Sequence, residues 1–125
     1  MSRYLRCYAL TALVFLGLDA VWLALIGPAY RQALGELMRP DPLWPVAVVF
    51  YAGFVIGLLV FAVYPARSLL GAAARGGLFG LFTYATFEMT NLALLVGWPP
   101  WLVAVDILWG MTVCTVAALA GYATR

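Results

Sequence analysis

Long apolar runs fill most of the chain, separated by three short segments rich in proline, glycine or charge. Between Arg6 and Arg31 the only formally charged residue is Asp19. About 20 predominantly apolar residues cross a hydrocarbon core. This run therefore predicts a spanning helix over about 4–27, with Pro28 as its stop. A secretory leader is not expected, although Arg3 and Arg6 precede the run. The run exceeds the ~7–15 residues of a signal core, and further apolar runs follow it. A second helix is predicted over about 45–64, stopped by Pro65. From Arg75 to Arg125 only Glu88 and Asp106 are charged. The turn signal Gly97-Trp98-Pro99-Pro100 divides that stretch into helices near 76–96 and 101–123.

The segment between the first two helices is the polar one. Tyr30, Ala33, Leu34, Leu37 and Met38 recur at helical spacing, with Arg31, Gln32 and Glu36 on the opposite side. That pattern predicts a short amphipathic helix lying in the membrane interface. The expected fold is all-α: an integral membrane antiparallel four-helix bundle, in one domain over 1–125, with this interfacial helix between helices 1 and 2.

Composition agrees with the pattern. Hydrophobic residues make up 66% of the 125 residues and charged residues only 10%, far from the roughly one-quarter charged of a soluble domain. Disorder is excluded for the same reason. The net charge is +2, too weak and too scattered for a nucleic-acid footprint, and no nucleic-acid partner is expected. With no histidine, neither a Ser-His-Asp nor a Cys-His nucleophile system can be assembled from this chain alone. Cys7 and Cys114 lie in separate apolar runs and read as small buried residues rather than metal ligands. No phosphate loop or dinucleotide fingerprint is present, so neither cofactor nor metal is expected.

Arginine distribution sets an expected orientation. Arg3, Arg6, Arg67, Arg75 and Arg125 fall on one side; Arg31 and Arg39 fall on the other, offset by Glu36 and Asp41. The positive-inside rule then places both termini in the cytoplasm. Two pairs of glycines four apart, Gly53/Gly57 and Gly76/Gly80, are expected to let helix backbones approach closely within the bundle.

The candidate chemistry lies inside the predicted spans, at Asp19, Glu88 and Asp106. Counted from the helix ends at 1.5 Å per residue, their depths are roughly 12, 13 and 8 Å, so all three fit one layer. No Arg shares that depth. Three carboxyl groups in one dry layer oppose one another's ionisation. Each also has a hydrogen-bonding neighbour at helical spacing on its own helix: Trp22 after Asp19, Trp109 after Asp106, and Tyr84 and Asn91 around Glu88. Intramembrane ionisable groups read as functional by default. Asp19, Trp22, Tyr84, Glu88, Asn91, Asp106 and Trp109 are thus the candidate ligand or proton site, with no catalytic residue assigned.

The segments Thr86-Phe87-Glu88-Met89-Thr90-Asn91, Gly97-Trp98 and Asp106-Ile107-Leu108-Trp109-Gly110 carry a resemblance. They resemble the Thr-Tyr-Asp-x-Thr-Asn, Gly-Trp and Asp-x-x-Trp-Gly signature of a bacterial membrane-protein family of unknown function, DUF2177. Leu18 to Leu23 and Phe50-Tyr51 also fit it. The chain departs from the signature at Phe87 and Glu88, where the family has Tyr and Asp. The resemblance implies a four-span protein of a bacterial cytoplasmic membrane and supplies no activity.

Three functions compete. The carboxylate layer suits binding or transport of a small cationic or amphipathic molecule, or of protons, with aromatic walls to hold a cation. A transport pathway in so small a protomer would call for a homodimer. A carboxylate-based enzyme or accessory subunit in lipid metabolism would use Glu88 as general acid/base. A structural or assembly partner would use the acids to fasten helices. Besides the lipid bilayer, a small-molecule ligand is the partner the first reading requires.

Overall fold

The computed structural model describes residues 1–125 and is entirely helical outside its connections. Its elements are α1 (Arg3–Leu34), α2 (Trp44–Leu58), α3 (Leu69–Leu94) and α4 (Pro100–Thr124). A 3-10 turn over Gly35–Leu37 ends α1, and a π-helical turn over Leu59–Val63 prolongs α2. Three segments are long and apolar enough to cross a membrane: Arg3–Leu37, Trp44–Val63 and Pro100–Thr124. With 26 residues α3 matches them in length, but no stretch of it is as apolar as theirs.

The first connection differs from expectation. Pro28 lies inside α1, which runs on to Leu34, so the amphipathic segment is the end of α1 rather than a separate interfacial helix. Its apolar face is taken up by protein. Ile26, Ala29, Tyr30, Ala33 and Leu34 pack against Trp98, Leu102 and Val103 at the α3–α4 turn. A proline forfeits one helical hydrogen bond, and the packing of Tyr30, Ala33 and Leu34 on Trp98 and its neighbours offsets that loss. Gly35, at φ 56°, supplies the left-handed turn that finally ends the helix.

The other boundaries follow from caps. Ser68 accepts a hydrogen bond from the Gly71 amide at 2.9 Å, so α3 starts seven residues before the predicted position and Arg75 lies exposed on its flank. Ahead of Pro65, the Tyr64 amide reaches back five residues to the Leu59 carbonyl. Arg125 then donates to the Val63 and Tyr64 carbonyls at 3.2 and 2.9 Å, joining the end of α4 to the end of α2.

Packing is uneven. The most intimate contact is between α3 and α4, and α1 also packs along α4. A Cβ on Gly76 would come within 2.6 Å of the Cys114 carbonyl oxygen, one on Gly80 would overlap the Gly110 carbonyl, and one on Gly110 would overlap the Tyr84 ring. The Gly76/Gly80 pair therefore serves close packing within the bundle. Gly57 meets the Phe79 ring, but Gly53 faces open space. Towards the termini a dense core forms around Cys7, Phe15, Leu58, Val63, Val113 and Cys114, with both cysteines fully buried and unbridged. By contrast, the N-terminal half of α2 stands away from α3 and α4, and Val46, Val48, Val49 and Phe50 are exposed.

Candidate functional site

The three candidate acids are all buried, with Asp19 6%, Glu88 0% and Asp106 4% exposed. They lie in the half of the bundle that carries the α1–α2 and α3–α4 connections, above the dense core. Antiparallel packing of α1 and α3 on α4 brings them together there.

Their partners are not those on their own helices. The Trp22 indole, one turn after Asp19, donates to Asp106 Oδ1 at 3.0 Å. The Trp109 indole, one turn after Asp106, donates to Asp19 Oδ1 at 3.2 Å. The two rings stack at 4.9 Å between centroids and 6° between planes. The Asp-x-x-Trp segments of α1 and α4 are thus paired reciprocally, each indole serving the other helix's acid. Helical spacing puts Trp22 and Asp19 on one stripe, but an antiparallel neighbour offers the indole a better-aligned acceptor.

Glu88 accepts the Tyr30 hydroxyl at 2.5 Å on Oε1 and the Trp98 indole at 2.9 Å on Oε2. Asp19 Oδ2 takes the Tyr51 hydroxyl at 3.3 Å, long for a bond between oxygens. Three partners, Tyr30, Tyr51 and Trp98, were absent from the expected set. Tyr30 lies beyond the expected stop at Pro28, and Trp98 and Tyr51 belong to the family signature, which marks them without showing which acid either one faces. Of the expected set, Tyr84 makes no hydrogen bond to Glu88; its ring lies on Gly110 and its edge lines a cavity. The Asn91 side chain makes no hydrogen bond, and its carbonyl accepts the Leu95 amide at the end of α3.

A cavity of about 380 Å³ opens beside this network, between α1, α2 and α3. Its walls are chiefly aromatic, with Phe50, Phe54, Tyr51, Tyr84, Phe87 and Trp22 among them. Asp19 and Asp106 are its only ionisable carboxyl groups, and no basic side chain lines it. The volume and the few convergent polar groups are those of a small-molecule site. Phe50 and Phe87 on its rim are exposed, so it opens laterally, past the loosely packed half of α2.

One oxygen in the cavity wall lacks a donor. Asp106 Oδ1 has Trp22, whereas Oδ2 has no indole or amide donor; no side-chain oxygen sealed inside the protein is left unpaired, so Oδ2 faces the cavity. Glu88 and Tyr30 lie beside Asp106. The Tyr30 proton is committed to Glu88, and Glu88 can donate to Asp106 only when it carries a proton itself. No group of three or more metal-ligating side chains is present.

A helical membrane protein with a layer of buried acids, held by indoles and phenols, is the class these features define. The chain belongs to the family described as predicted membrane protein, DUF2177, whose model matches residues 4–123. Comparison with curated proteins and with solved structures gives no match.

Proposed function

We propose that the cavity binds a small cationic amphiphile, an ammonium group reaching Asp106 and Asp19 and an apolar body lying among the aromatic rings. The observation that carries this is the donor-free Oδ2 of a nearly buried Asp106 in a cavity wall without a basic residue. An ammonium brings three donors and the compensating charge. The surrounding rings favour the same ligand through cation–π attraction. A proton on Glu88 is the other donor within reach of Asp106, so proton and ammonium compete for that carboxylate.

Binding is favoured over transport, because the half of the bundle towards the termini is closed by the packed core. In this reading α3 is a fourth span, antiparallel to α4. Both termini lie on the cytoplasmic side of a bacterial inner membrane, a reading that the arginine distribution supports. Helix fastening is the second reading, and the crossed indole bonds between α1 and α4 favour it. It requires no ligand.

Phenethylamine, an aromatic primary amine, is the probe. Protein in vesicles of neutral lipid is expected to bind it saturably, at one site per protomer, without speeding its release from loaded vesicles. Affinity is expected to fall as pH is lowered, because protonating the carboxylates removes the charge that holds the ammonium. Absence of saturable binding in folded protein would leave only the fastening reading; release that the protein accelerates would establish transport instead.

A further inference from the structure

A second space lies on the other side of α2. It is a groove of about 480 Å³ between α1 and α2, and Asp19 is its only ionisable carboxyl group. Its walls are otherwise apolar and include Ala12, Leu16, Ala47, Val48 and Val55. Both spaces reach Asp19, Leu23 and Tyr51, so they meet at the weakest bond of the network, the 3.3 Å contact of Tyr51 with Asp19.

The groove has a direction. It runs along α1 from Leu23 to Tyr8, and from Asp19 to Tyr8 is eleven residues, about 16 Å of helix. Its longer arm therefore leads away from the acid layer along the half of α1 that carries the N-terminus. A head held at Asp19 would leave this apolar arm, about 16 Å long, as the path of one alkyl chain. Neither lining contains Arg or Lys, so a phosphate or carboxylate head would meet only like charge. A bare alcohol would supply one donor and no charge, whereas an ammonium supplies three donors to Asp19 and the free Asp106 oxygen.

We infer that the ligand is a single-chain lipid amine. Its ammonium sits between Asp19 and Asp106 in place of the Tyr51 hydroxyl, and its alkyl chain lies in the groove between α1 and α2. This rests on the cavity reading above and adds the class of molecule and the path of its chain.

The test uses the full chain in nanodiscs of zwitterionic lipid. Dodecylamine, dodecanol, butylamine and phenethylamine are each supplied at the same mole fraction in the bilayer, and bound adducts are counted by native mass spectrometry. Equal mole fraction removes the advantage a longer chain gains merely by partitioning into lipid. Dodecylamine is expected to occupy the protein at least tenfold more readily than butylamine or dodecanol. Ala12→Phe and, independently, Ala47→Phe fill the groove from its two walls. Each is expected to erase that advantage while leaving phenethylamine occupancy within about twofold.

Equal occupancy by dodecylamine and butylamine in the parent overturns the chain assignment without touching the cavity. Equal occupancy by dodecanol and dodecylamine overturns the amine head. An advantage kept in both folded groove variants also overturns the chain path. Failure of phenethylamine and dodecylamine alike to bind the parent overturns the inference and the cavity reading together.

Discussion

At the scale of single residues, the decisive fact is which acid each indole serves. Trp22 bonds Asp106 and Trp109 bonds Asp19, although spacing alone puts Trp22 with Asp19 and Trp109 with Asp106. A double-mutant cycle of Trp22→Phe with Asp106→Asn, read by unfolding in detergent, is expected to give a coupling of about 0.6 kcal/mol, the usual size in membrane proteins. The cycle of Trp22→Phe with Asp19→Asn should give a smaller value; the reverse order would contradict the crossed arrangement. Tyr30→Phe removes a donor from fully buried Glu88 and should cost about 1–3 kcal/mol. That the three acids share one layer was legible in the sequence, because rise per residue fixes relative height along a helix, although the count for Asp19 starts from Gly27 and α1 runs on to Leu34. Their partners were not legible, because rotation about the helix axis and the choice of neighbour depend on packing that residue spacing does not contain.

At the scale of elements, glycines separate tight contacts from loose ones. Gly80→Ala drives a Cβ into the Gly110 carbonyl and should destabilise by at least about 1–3 kcal/mol, the cost of overpacking. Gly53→Ala meets open space and should stabilise by about 0.5–1 kcal/mol through helix propensity alone. Thermal unfolding of the two variants in one detergent checks both signs. Of the two glycine pairs the sequence offered, spacing could not tell which position faces a neighbour. The helices themselves were legible from apolar run length: α2 with its π-helical turn, and α4, lie within one residue of their predicted bounds. Pro28 misled because a proline's local cost is visible in the sequence, while the packing of Tyr30 and Leu34 on Trp98 and its neighbours is not. Arg75 misled similarly, since an exposed helix flank accommodates a charge that an apolar-run criterion treats as an end.

At the scale of the whole molecule, α1, α3 and α4 form the firm part, and the N-terminal half of α2 is the part free to move aside. Amide hydrogen exchange should accordingly be faster over residues 45–52 than over the α4 segment that packs on α3, since sparse contacts lower the cost of local opening. The cavity and the groove flank that same half of α2, so one loosely held helix borders both entrances to the acids. The measurement that tests the central claim most directly is a calorimetric titration of phenethylamine into the parent, Asp106→Asn and Glu36→Gln, all in one neutral detergent. Glu36 is an exposed acid on the turn after α1 and lies outside the cavity lining. A charge-assisted hydrogen bond contributes about 1.5–3 kcal/mol, so Asp106→Asn should weaken binding at least tenfold. Glu36→Gln should leave it within about twofold. Equal affinities for the parent and a folded Asp106→Asn would contradict the assignment of the buried carboxylates as a cation-binding site.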